Sequence, residues 1–360
     1  MTNPFATRQN SLRRALAAAN TNAFLTLHQP NLFYLSGFTG SSGALLLMAK
    51  SAVLLTDGRY AQQARREVRS ARVIITQDSL PKALAAVLAG RKGLHIAVES
   101  NRLTMSQWNG LRKDGGEHVR WIPLEGLVER LRAVKDSGEV KLLRHAAQLG
   151  SEVFRRTLPL IVPGITENEL AAEMEHRMRR MGAQGPAFET IVAFGERTAL
   201  PHARPTVRRL RKNELVLLDL GVILANYRCD LTRTIFVGRA SARIRNVYAA
   251  VSRAHGAACQ VVKAGRSAAE VDSAARQVLR EAKLERYFTH STGHGLGLEV
   301  HELPRLARNQ TDVLQAGHVV TVEPGVYISG LGGVRLEDDV LVTRSGCEIL
   351  TTASREFLEL

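Results

Sequence analysis

Residues 215–237 read LVLLDLGVILANYRCDLTRTIFV. Two apolar, strand-like runs, 215–220 and 231–237, flank a shorter polar centre, and the pattern predicts a β-hairpin turning near Leu224-Ala225. Asp219 closes the first run, and Asp230, eleven residues on, precedes the second. In that register the two aspartates stand opposite each other on one face, with Cβ atoms roughly 5 Å apart. Two carboxylates so placed repel each other unless a cation lies between them. Taken alone, the pair is equally an ordinary polar hairpin end.

Around this hairpin the second part of the chain supplies further strands at 190–193, 319–323, 334–336 and 340–342. Long helical stretches come in blocks rather than in strict alternation with the strands. One begins at Asp136 and is stopped by Pro159 and Pro163-Gly164. Two others open with the reciprocal capping signature, Thr166 with Glu169 and Ser267 with Glu270. This grouping predicts an α+β domain with a curved, largely antiparallel sheet. The first part alternates instead: a helix at 11–20, strands at 23–27, 44–48, 53–55, 73–76 and 95–98, and a helix at 59–68. That is an α/β domain, and it holds no Gly-rich fingerprint between a strand and a helix that would mark a nucleotide site. The expected boundary lies at the break before Gly138, giving domains 1–132 and 133–360.

The segment THSTGHGLGLEVHE, 289–302, changes the weight of the aspartate pair. Three histidines among glycines make a poor core, and glycine lets a backbone approach a site closely. His294 can offer a neutral imidazole to a metal, with His290 and His301 acting around it or on substrate. Glu323 ends the apolar strand VVTVE. Glu337, in GVRLED, shares a face with Arg335 by strand alternation. A carboxylate at the mouth of a buried strand is costly unless paired or metal-bound. One imidazole and four carboxylates form a hard, oxygen-rich set. It favours Mn²⁺, admits Co²⁺ or Zn²⁺, and has enough carboxylates to bridge two ions.

Composition sets the remaining bounds. A chain of 360 residues exceeds one ordinary core. Lys and Arg exceed Asp and Glu by 15, yet the positive charges are scattered in ones and twos. The expectation is weak, sequence-independent, salt-sensitive nucleic-acid binding and no specific nucleic-acid partner. Three cysteines without a CxxC fit a reducing compartment, and no apolar run could span a membrane. A soluble cytoplasmic protein is expected.

Together LLDLG (217–221), YRCDLTRT (227–234), STGHGLGLEVHE (291–302), TVEPGVY (321–327) and GVRLED (333–338) resemble the M24 "pita-bread" metallopeptidases, in the aminopeptidase P and prolidase branch. YLSGFTGSSG (34–43) and LLTDGRYAQQA (54–64) resemble the N-terminal domain of aminopeptidase P and creatinase-like proteins. The resemblance implies that Asp219, Asp230, His294, Glu323 and Glu337 hold two divalent ions. It implies that His202, in ALPHARP, and His301 bind substrate or stabilise the tetrahedral intermediate, and that Arg335 supports the catalytic group beside Glu337. His290 would line the proline pocket, and Glu323 would serve as general base, then acid. The activity implied is removal of an N-terminal residue from peptides with proline second, with Xaa-Pro dipeptidase as the alternative and a non-catalytic binding protein as the remote one. The segments around Gly37–Gly43 and Asp57–Tyr60 tilt the expectation towards the aminopeptidase. A homodimer is implied by analogy.

Overall fold

The computed structural model describes residues 3–115 and 118–360. The chain divides into two compact units, 1–132 and 133–360. In the first unit six strands form one mixed sheet, in the order 72–76, 52–57, 44–48, 23–26, 94–99 and 119–124. The three strands from Ala23 to Asp57 pair antiparallel, and the outer pairings are parallel. A parallel neighbour requires a crossover. The helices Ala61–Glu67 and Met105–Asp114 provide two of them. Leu25, Leu46, Leu55, Ile96 and Val98 meet Leu84, Leu88 and Leu111 in the core of this unit.

In the second unit every strand-to-strand pairing among the described residues is antiparallel. The helices start where their caps dictate. Asp136, Thr166 and Ser267 each accept the N3 backbone N–H while Glu139, Glu169 and Glu270 reach back, opening Ser137–Thr157, Glu167–Arg180 and Ala268–Glu281. The helices Ala242–Val261 and Ala268–Glu281 lay Val251, Ala254, Val271 and Leu279 against Val320, Val322, Val334 and Val340 of the sheets. The result is a set of antiparallel sheets covered by helices.

The hairpin forms, with a different register from the one expected. Ala225 and Asn226 both have positive φ, 48° and 70°, as a two-residue turn of the I′ type requires. The turn therefore centres one residue later than Leu224-Ala225. That moves the pairing by two, so Asp219 faces Thr232, not Asp230. A shift of two keeps both aspartates on one face, since side chains alternate with period 2.

Candidate metal centre

The acidic side chains of interest sit where the sheets are interrupted. Glu214–Leu220 and Leu231–Val237 pair with each other, and Asp219 is next to last in the first of them. Asp230 lies in the unpaired step before the second strand. Glu323 lies between Val319–Val322 and Gly325–Ile328, and Glu337 between Gly332–Arg335 and Asp338–Val342. At each step the chain leaves one sheet for another, so a side chain can point into the gap between them. Backbone bonds hold these steps in place. Glu323 N–H donates to Thr292 O at 2.8 Å, Glu337 N–H to Thr232 O at 3.1 Å, and Asp230 N–H to the Asp339 carboxylate at 3.1 Å.

His294 enters from the short strand Gly293–Gly295. Its flanking glycines are needed for space. A Cβ on Gly293 would lie 1.9 Å from Thr321 O, and one on Gly295 2.1 Å from Leu303 O. The imidazole Nδ1–H donates to Gly295 O at 3.0 Å, which leaves Nε2 as the lone-pair nitrogen. Nε2 stands 3.4 Å from Glu323 Oε1 and 3.8 Å from Asp230 Oδ2. Asp230, His294 and Glu337 each offer a ligand atom within 4.8 Å of the others'.

Burial and mutual repulsion govern the electrostatics. Burial, then the charges of Glu337 and Asp219, pushes Asp230 well above the usual carboxylate range. Glu337 is raised likewise by burial, Glu323 and Asp219. Burial lifts Glu323 to about 7 despite the opposing Arg335. Burial also lowers His294, keeping the ring neutral. Oδ1 of Asp219 is buried and has no hydrogen-bond partner. A neutral imidazole with a free lone pair, an orphaned carboxylate oxygen and four crowded acids fit divalent cations. Few other occupants would neutralise them.

A second ring of side chains steadies the first. Arg335 Nη2–H donates to Asp219 Oδ2 at 2.5 Å and Nη1–H to the Tyr327 hydroxyl at 2.8 Å. Thr232 Oγ1 accepts from Arg335 Nε at 3.0 Å and donates to Glu337 Oε2 at 2.6 Å. The Tyr327 hydroxyl lies 2.8 Å from His290 Nε2, while His290 Nδ1–H donates to Ser291 O. Burial pulls His290 down to about 4, so its ring is neutral. His301 packs edge-on to His294 with ring centroids 4.4 Å apart. His202 is exposed, and its charge acts on His290, His301 and Glu323. The structure thus brings all the singled-out residues into one neighbourhood.

Sequence reasoning missed Thr232, Tyr327 and Arg305. Arg305 faces His294 across the strand pair Gly293–Gly295 and Glu302–Leu306. It is exposed, and its charge acts on both His294 and His301. Its position two residues after Leu303, inside an alternating strand, was the one available signal.

Residues 141–344 match Metallopeptidase family M24, and residues 8–134 match the Creatinase/Prolidase N-terminal domain. The chain is 34% identical to a Xaa-Pro dipeptidase of Pyrococcus horikoshii over 94% of each chain. Its structure superposes on a Xaa-Pro dipeptidase from Bacillus anthracis with TM-score 0.95 and 36% identity, covering 99% of this chain and 100% of that one. An X-Pro aminopeptidase from Thermotoga maritima superposes with TM-score 0.90 and 35% identity, covering 96% and 99%.

Proposed function

The chain belongs to Metallopeptidase family M24, and on that premise we propose that it is a Xaa-Pro dipeptidase, a prolidase. Dipeptidases predominate among its named relatives. The observation that carries the choice is Arg305. Among the described residues this exposed guanidinium has no carboxylate partner, and it stands on the same sheet face as His294. A dipeptidase must hold the carboxylate of a C-terminal proline, and a planar guanidinium does so with paired hydrogen bonds. The aminopeptidase reading keeps support from the Thermotoga maritima relative and from the first-domain segments quoted above.

In this reading Asp219, Asp230, His294, Glu323 and Glu337 hold two divalent ions, with Mn²⁺ the best match to the hard donor set. When bound, such ions supply Lewis-acid polarisation of the scissile carbonyl and make water a nucleophile at neutral pH. Glu323, half-buried beside His294, takes a proton from the attacking water and returns it to the departing prolyl nitrogen. His202 and His301 donate to the oxygen on which negative charge develops. Arg335 fixes the Asp219 carboxylate. Neutral His290, tied to Tyr327, gives the proline ring a flat wall; proline's missing N–H means the wall needs no acceptor. A homodimer belongs to the same reading, by analogy with relatives of this architecture.

The test is Arg305→Met, assayed on a Xaa-Pro dipeptide and on its C-terminal amide. A lost charge-assisted hydrogen bond should raise KM for the dipeptide about tenfold to a hundredfold. The amide, which lacks the carboxylate, should be affected much less. Equal effects on both substrates would remove Arg305 from the role.

A further inference from the structure

Away from the acidic centre, the face formed by the helix Ala242–Val261 and the segment 282–287 holds a cavity of about 620 Å³. Arg243, Arg253, Lys283 and Arg286 line it, and no acidic side chain does. Among the described residues neither Arg243, Arg253 nor Lys283 has an ion-pair partner. The acid nearest in sequence, Glu285, is held by Arg280 at 2.7 Å and Arg308 at 2.6 Å. Elsewhere on this unit arginines commonly pair, as Arg144 does with Glu348 and Arg208 with Glu214. These four exposed cations share one concavity, and an anion within it would be attracted by all of them.

The site has shape as well as charge. Arg286 Nη2–H donates to its neighbour's hydroxyl, Tyr287 Oη, at 2.7 Å, and its guanidinium lies 4.7 Å from that ring's centroid. The remaining donors of this guanidinium are therefore held in one orientation, which reduces the ordering cost of binding. Arg243 stands in the first turn of the twenty-residue helix, where free backbone N–H groups add positive potential. The floor is apolar, with Val247, Leu284 and Ile328. A volume in the usual ligand range suits a compact occupant rather than the backbone of a nucleic acid, which needs a long basic track.

We propose that this cavity is a binding site for a small anion carrying two or more phosphates, with the apolar floor accepting a ring attached to them. Phosphate suits it because several guanidinium and ammonium donors can share its oxygens.

Titration calorimetry at 0.15 M salt with a nucleoside triphosphate and with inorganic tripolyphosphate tests the assignment. The variants are Arg243→Ala/Lys283→Ala in the cavity and Asp230→Ala in the acidic centre. Both anions should bind the unaltered protein, and binding should weaken about tenfold or more in the cavity variant. That variant should keep its peptidase activity, and Asp230→Ala should keep its anion binding. Tighter binding of the nucleoside triphosphate would assign the apolar floor to its ring. Absence of binding by both anions at millimolar concentration would overturn the proposal, as would binding that survives in the cavity variant or is lost with Asp230→Ala.

Discussion

At the scale of the residue, the acidic centre is a set of charges that oppose their own ionisation. Glu323 rises to about 7, and burial with the charges of neighbouring acids, Glu337 and Asp219 on Asp230 and Glu323 and Asp219 on Glu337, pushes both well above the usual carboxylate range. A carboxyl raised in the folded state contributes stability that is full below its unfolded pKa, near 4.5, and is lost as pH climbs through the folded value. In the metal-free protein Glu323 should therefore contribute a loss of stability as pH rises from about 4.5 to 7, while His290, lowered to about 4, contributes a gain between about 4 and 6.5. Glu337→Gln removes one charge but keeps an acceptor for Thr232 Oγ1. In chelator at pH 8 it should unfold later than the unaltered protein, by about 1–3 kcal/mol. With Mn²⁺ the order should reverse, because one ligand has gone. Denaturant unfolding in both conditions reads this directly, and a Glu337→Gln protein weaker in both would contradict the repulsion. The acids and His294 could be picked out in the sequence because such residues are expensive inside a strand or among glycines. Thr232 and Tyr327 could not. A threonine and a tyrosine are ordinary strand residues, and only the fold brings them to Arg335.

At the scale of the element, the centre depends on how closely backbones approach. Gly293 and Gly295 leave no room for a Cβ against Thr321 O and Leu303 O. Gly293→Ala must push apart two strands that carry His294 and the approach to Glu323. We expect at least about 2 kcal/mol of destabilisation and a loss of metal affinity larger than for Gly256→Ala, where an added Cβ meets no atom within 4 Å. Metal titration of the two variants, with unfolding curves, decides it; equal affinities would mean that the strand spacing does not matter. The helices with reciprocal caps at Asp136, Thr166 and Ser267 were legible, but Met105–Asp114, whose Thr104 and Gln107 cap reciprocally too, was not. The helix Ala242–Val261 escaped notice because Ser241 caps it alone, with Ile244 where a glutamate would signal the box. The helices Gln29–Ser36, Leu80–Leu88 and Met105–Asp114 and the strand Val119–Leu124 were also unassigned. The first is short and buried on several sides, so it carries no amphipathic period. The hairpin register slipped by two because Ala225 is not a residue that announces a left-handed turn.

At the scale of the whole molecule, the α+β class was legible because the antiparallel hairpins, capped helices and interrupted strands all agree. So was metallopeptidase chemistry, through the ordered motifs that resemble the M24 family, although the acids cluster only once the chain has folded across more than a hundred residues, from Asp219 to Glu337. Substrate length was less legible. The first-domain segments favoured an aminopeptidase, while the relatives favour a dipeptidase at least as well. In the proposed reading the difference lies at the proline end of the substrate, and Arg305 is brought beside His294 only when their strands pair. The most direct measurement is kcat/KM for a Xaa-Pro dipeptide against the matching Xaa-Pro-Xaa tripeptide, using Mn²⁺-loaded protein and a chelated control. The account predicts that the dipeptide is preferred by at least about tenfold, or roughly 1.4 kcal/mol of transition-state stabilisation, and that chelation abolishes both activities. A tripeptide cleaved as well as or better than the dipeptide would contradict it and make the protein an aminopeptidase.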